Sequence, residues 1–414
     1  MIIGSKAYGT ASKGGANDKG VLFSIGLDGN NYTSIHEFDE ASGSNPLGTI
    51  CISGDTIFGT TSGGGDYGKG TVYRIQINGT NFSTLHHFDG VNGSNPNNSV
   101  FLSDSKLYGM TKNGGENDKG VVFQLNTNGT GFSKMLVFNG LNGETPDGTL
   151  TIIGSNIYGT TKTGGVCNMG VMFRITKTGT YTKLLDYNKA TEGRYLTSDL
   201  VTDGTWLYGS ATQGGSKGMG RLFKIMPDGS GYTKVWDFDG VQGANPISSP
   251  IIYNSELYGT LPYYGSNYLL GMRFGRDNMQ NRGLVYKIST SGSNYEILSG
   301  LSASDGRRPE GALLKSGNTL YGTTLYGGFP LSRWSGPQGG GTIFKINTDG
   351  SGETLIKDLS AGPDAIGSFV KSSLLMIDTT LYGTSCGSLM GYTGNGTIFK
   401  INKGGDGTQS TTFF

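Results

Sequence analysis

An aromatic residue followed by glycine recurs along this chain at an almost constant interval. The pairs are Tyr8-Gly9, Phe58-Gly59, Tyr108-Gly109, Tyr158-Gly159, Tyr208-Gly209, Tyr258-Gly259, Tyr321-Gly322 and Tyr382-Gly383. The spacing is 50 residues five times, then 63 and 61. Such a period marks a chain of stacked supersecondary units, and here there are eight. A second aromatic marker follows 15 residues later at Phe23, Tyr73, Phe123, Phe173 and Phe223, and after longer gaps at Tyr286, Phe344 and Phe399. A third lies 14 or 15 residues further on in most repeats: Phe38, Phe88, Phe138, Tyr187, Phe238, Leu301, Leu359 and Phe414.

Each repeat holds four short apolar runs separated by Gly, Asn, Asp and Ser. In the fourth they are Leu150-Thr-Ile-Ile (A), Ile157-Tyr-Gly-Thr-Thr (B), Gly170-Val-Met-Phe-Arg-Ile (C) and Thr182-Lys-Leu-Leu-Asp-Tyr (D). These are strand-length runs rich in β-branched and aromatic residues, joined by turn chemistry, and no helical period is sustained. A lone four-stranded meander cannot bury both faces, but a ring of them can. The expectation is an all-β chain forming a single eight-bladed β-propeller, with four antiparallel strands per blade. The blades fall at about 1–46, 47–96, 97–146, 147–196, 197–246, 247–309, 310–368 and 369–414. The chain opens on an A run and stops on a D marker, as expected for a whole ring.

Composition excludes several classes. Glycine is 74 of 414 residues, far above the roughly 7% of average proteins. Proline is only 11 and no G-X-Y period exists, so this is not collagen. With 22 Tyr, 19 Phe, 3 Trp and only 15% charged residues, the chain can build a core. A net charge of +1 gives no reason to expect a nucleic acid partner or attraction to an anionic membrane. No apolar run is long enough for a membrane-spanning helix. Cys51, Cys167 and Cys386 form neither a disulfide framework nor a metal knuckle, and all three thiols are expected free. No signal peptide precedes the first run. The chain is therefore intracellular, or its leader has been removed, or it is an excised or phage-derived domain.

Most regular positions have a structural reading. The three marker columns, with a fourth at Tyr32, Phe82, Phe132, Tyr181, Tyr232 and Tyr295, are expected to pack blade against blade. Glycine pairs such as Gly114-Gly115 and Gly164-Gly165 suit positive φ, and with no helix or Lys-Ser/Thr behind them they are not phosphate loops. Asp39, Asp89 and Asp239, with Asn45-Pro, Asn95-Pro and Asn245-Pro, offer too few carboxylates for calcium and suit Asx-turns. His36, His86 and His87 read as outer-strand surface positions. No metal, cofactor or catalytic residue is expected.

The pattern L-Y-G-T-T-x-x-G-G-x(4)-G-x-V-F-x-I, then L-x-x-F-x-G-x-x-G-x-x-P, resembles the GloVer repeat of bacterial proteins across essentially the whole chain. Its best copies run from Leu107 to Leu125 and from Ile157 to Ile175. It also resembles kelch and NHL repeats. The resemblance implies a secreted or surface-exposed propeller, often within larger proteins bearing sorting or anchoring tails. It implies no catalytic motif.

In an antiparallel meander the B–C and D–A loops share one face, and nearly all the length variation lies in them. Binding residues concentrate on loops held by a rigid scaffold. The B–C loop of blade 6 is thirteen residues over the standard and that of blade 7 eight over. Together they carry Tyr263, Tyr264, Tyr268, Arg273, Phe274, Arg276, Arg282, Tyr326, Phe329, Arg333 and Trp334, with Asp277 their one acid. Aromatic rings stack on sugars, and arginine offers a planar fork to carboxylate, sulfate or phosphate. The expected site residues are Tyr263, Tyr264, Tyr268, Arg273, Phe274, Arg276, Phe329, Arg333 and Trp334. The expected function is a non-enzymatic extracellular or cell-surface module that binds a glycan or a protein there, without membrane insertion. One alternative is a polysaccharide lyase on the same face, with a tyrosine as base and Arg276 neutralising a uronate. The other is a spacer or oligomerising unit of a fibre, adhesin or phage particle. Self-packing of the two loops into a cap competes with all of these.

Overall fold

The computed structural model describes residues 1–187, 192–196, 198–264, 282–302, 306–328, 340–359, 370–385 and 397–405, and the backbone of 409–412. Every regular element among them is a β-strand. The strands form eight antiparallel sheets, each built in chain order from A to D. The fold is that of an eight-bladed β-propeller, as the repeat predicts. Blade 3 is representative, with strands Phe101–Ser103, Lys106–Thr111, Val121–Asn126 and Ser133–Val137. Blade 5 carries an extra strand, Arg194–Leu196, which pairs with the outer end of its B strand, Leu207–Gln213. The chain divides into two compact units, Met1–Asn188 with blades 1–4 and Lys189–Phe414 with blades 5–8.

The aromatic-Gly marker has a direct physical cause. In the B–C register Gly109 lies opposite Phe123, Gly159 opposite Phe173 and Gly322 opposite Phe344. The aromatic ring folds back over the glycine, so that a Cβ on Gly109 would sit 2.5 Å from the Phe123 ring. A side chain there would displace the ring, which is why two of the three markers are locked together. The ring is covered from the neighbouring blade. Phe88 of blade 2 meets Phe123 of blade 3 edge-on at 5.2 Å, and Phe138 of blade 3 meets Phe173 of blade 4 at 5.4 Å. Each core cluster accordingly joins adjacent blades, for example Phe58, Leu85 and Phe88 with Leu107 and Phe123. A polar seam runs beside this core: the Thr49 amide donates to Ser99 Oγ, and in the second unit Asp199 donates to Ser249 and Ala312 to Ser373.

Two expectations need correction. Tyr32, placed in the fourth packing column, is 39% exposed. His36 and His86 are not surface residues. Their rings lie flat on Phe82 and Phe132 of the next blade at 3.8 and 3.7 Å. Burial lowers the proton affinity of both imidazoles, although Asp39 and Glu37 oppose this at His36. In blade 5 the same stack is made by Trp236 on Tyr295.

Candidate functional site at the junction of blades 6 and 7

The loop face is built by one recurring device. Among the described residues, six D–A loops form an antiparallel bridge with the outer end of the next blade's B strand. The pairs are Ser44 with Gly63, Ser94 with Asn113 and Glu144 with Thr163 in the first unit, and Ala244 with Tyr263 and Arg307 with Tyr326 in the second. Arg194 with Gln213 belongs to the same series. An Asx-turn starts the loop: the Ser42, Asn92 and Gln242 amides donate to Asp39, Asp89 and Asp239, as expected. A proline ends it, Pro96 packing against Gly70 and Pro309 against Gly283. The residue before that proline always has positive φ. It is Asn45, Asn95, Thr145, Asn245 and, in the blade 6–7 loop, Arg308 at 54°. Among the described residues no cluster of three His, Cys, Asp or Glu is placed to hold a metal.

Blade 6 departs from the pattern in its hairpin as well. Its B strand, Glu256–Tyr264, runs nine residues against six in blades 1–4, and C begins at Arg282. After an irregularity at Leu261, Tyr264 pairs with Arg282. This extension carries the two described aromatics of the expected site in different directions. Tyr264 turns inward, packing on the blade 5–6 core and over Gly300. Tyr263 instead lies under the Arg308 guanidinium, 5.9 Å from its ring centre. Tyr268, Arg273, Phe274, Arg276, Phe329, Arg333 and Trp334 lie outside the described residues.

The structure adds two residues that loop-length reasoning missed, Arg307 and Arg308. The Arg307 backbone is zipped to blade 7: its amide donates to Tyr326 O at 2.7 Å and its carbonyl accepts from the Tyr326 amide at 3.1 Å. The residue is only 6% exposed. That burial, with the charge of nearby Arg282, lowers the proton affinity of its guanidinium. Arginine nonetheless stays charged at neutral pH. Arg308 forms an ion pair with Glu310, its Nε lying 2.6 Å from Oε1. Burial works against its charge, but Tyr263, Glu310 and Tyr326 outweigh it and tighten its hold on the proton. Arg282 thus acts on Arg307 through its charge, while Arg308 pairs with Glu310 beside Tyr263 and Tyr326.

Other loops of this face end in exposed aliphatics, Val91, Leu141 and Val241. A cleft of about 380 Å³ in blade 2, lined by Thr56, Arg74, Gln76, Asn81, Phe82 and Ser83, has Arg74 as its one charged residue. Among the described residues no helix is long and apolar enough to cross a membrane.

Comparison with solved structures returns likenesses of fold at low identity. A puromycin-hydrolyzing peptidase of Mycobacterium tuberculosis matches at 10% identity, with a TM-score of 0.51 over 88% of this chain and 52% of that one. This chain therefore spans about half the length of that peptidase. A chain from a structural and mechanistic analysis of two prolyl endopeptidases matches at 13% identity and TM-score 0.49, over 90% of this chain and 50% of that one. No curated protein matches the chain. The model of the Gloeobacter/Verrucomicrobia repeat matches residues 4–109 and 57–274, which together take in blades 1 to 5 and part of blade 6. By those repeats the chain belongs to the Gloeobacter/Verrucomicrobia repeat family.

Proposed function

We propose that this protein is a non-catalytic binding module of an extracellular or cell-surface protein, and that it recognises a glycan through the loop face at blades 6 and 7. The repeat family is consistent with a binding or structural module. One observation carries the finer reading. Among the bridged loop pairs named above, tyrosine occupies the B-strand position only in blades 6 and 7, at Tyr263 and Tyr326, and both are among the groups acting on Arg308. Rings held on a rigid sheet, with guanidinium between them, offer flat apolar faces for sugar rings and donors for their substituents. The GloVer resemblance supports the extracellular setting.

The test is a glycan array probed with the native chain and with a variant whose blade 6 and 7 B–C loops are cut to the standard length. Binding that disappears with the loops supports the reading. Binding that survives the cut moves the site elsewhere.

The exposed tips Val91, Leu141 and Val241 favour a second reading, contact with a protein partner through the same loop class. Substituting all three by serine abolishes capture of such a partner while leaving the array unchanged.

A further inference from the structure

Resting on that reading, we propose that the ligand is an acidic saccharide, and that Arg307 and Arg308, with Arg282, form the site for its carboxylate or sulfate. The argument comes from what the same short loop does elsewhere in the chain. At the blade 1–2, 2–3 and 5–6 junctions it reads Ser44-Asn45-Pro46, Ser94-Asn95-Pro96 and Ala244-Asn245-Pro246. At the blade 6–7 junction it reads Arg307-Arg308-Pro309. The backbone is the same: the first residue bridges to the next blade, the second takes positive φ and the proline packs against a glycine.

Neither arginine is there for the backbone. Asparagine is the residue that tolerates left-handed geometry, and a long side chain at φ 54° is disfavoured. A small residue suffices at the bridge, where blade 5 uses Ala244. The two arginines add charge to a place that already has Arg282 near Arg307. Like charges gathered on a partly desolvated face repel, and an arriving oxyanion relieves that repulsion. Strain and repulsion held together at one loop point to a ligand that offsets both. A planar guanidinium fork matches carboxylate or sulfate with two hydrogen bonds, and Tyr263 beneath Arg308 supplies a face for the sugar ring. Glu310 holds Arg308 from one side and repels acidic groups that approach from that side.

The loop of blade 5 supplies the test. In the graft Arg307→Ala, Arg308→Asn, Glu310→Ile, the segment takes the sequence Ala244-Asn245-Pro246-Ile247, which the fold already accepts at the equivalent junction. Binding of four probes is measured with the full chain: a galacturonate oligomer, a sulfated galactose oligomer, a neutral galactose oligomer of equal length, and polyglutamate. The native chain should prefer one or both acidic oligomers, with affinity falling as salt rises. The graft should weaken that binding by about tenfold or more and leave neutral binding and melting temperature undiminished. Which acidic oligomer responds tells carboxylate from sulfate. Equal affinity of native and graft for the acidic oligomers overturns the assignment. So does a native preference for the neutral one, although glycan recognition then stands. Failure of the native chain to bind any oligomer, or graft-sensitive binding of polyglutamate alone, overturns both readings.

Discussion

The junction between blades 2 and 3 and the junction between blades 6 and 7 are built on one frame. In each, the left-handed residue before proline and the bridge to the next B strand recur. A threonine at the end of that strand secures the bridge: Thr111 Oγ1 donates to Asn113 O at 2.8 Å and Thr324 Oγ1 to Tyr326 O at 2.9 Å. What differs is the set of side chains the frame presents. The first junction shows Ser94, Asn95 and Asn113, small and neutral. The second shows Arg307, Arg308 and Tyr326, large, aromatic and charged. A repeat protein separates the two tasks in this way: the periodic positions carry stability, and a local departure from the period carries recognition.

The largest expected effect should not distinguish the two regions at all. Gly109→Ala and Gly322→Ala each push a Cβ into the ring across the strand pair. Both should destabilise by about 1–3 kcal/mol, read by thermal or denaturant unfolding. A benign Gly322→Ala would mean that the second region does not share the frame.

A smaller effect should have opposite signs in the two regions. Asn95→Arg forces a bulky residue into φ 53° and should cost about 1 kcal/mol. Arg308→Asn, combined with Glu310→Ile so that no lone carboxylate remains, should stabilise by a similar amount, a rise in Tm of roughly 2–4 °C. Loss of stability in the second variant would make the arginines structural and remove the reason for a ligand.

The smallest effect concerns the first unit alone. His36 and His86 are held neutral by burial, so their folded proton affinity lies below the ordinary imidazole value. Their contribution is full above the unfolded value of about 6.5 and is lost as the pH falls from there through the lowered folded value. A chain with His36→Leu and His86→Leu should lose this acid-side drop in Tm. An unchanged pH profile would show that the stacking on Phe82 and Phe132 does not depend on charge.

Much of the frame was legible because its causes are local or periodic. The Tyr-Gly pair and the aromatic 15 residues on are cross-strand partners, so one cannot change without the other. Asp39, Asp89 and Asp239 announce their turns in the sequence itself. The histidines were misread because their burial comes from Phe82 and Phe132 of the adjoining blade, which a single strand's pattern does not contain. Tyr263 and Tyr264 are neighbours of identical type, and only the irregularity at Leu261 sends one inward and leaves the other beside Arg308. Loop length does not single out Arg307 and Arg308, whose loop is of ordinary build. Aligning the short loops column by column exposes them at once: arginine stands where three other junctions place asparagine.

Hydroxyl-radical footprinting of the native chain with and without a saturating acidic oligosaccharide tests the division of labour most directly. The account predicts protection at Tyr263 and Tyr326, and none at Phe101 or Tyr67 in the regular blades. Protection spread evenly over the loops of all blades, or confined to blades 1–4, would contradict it.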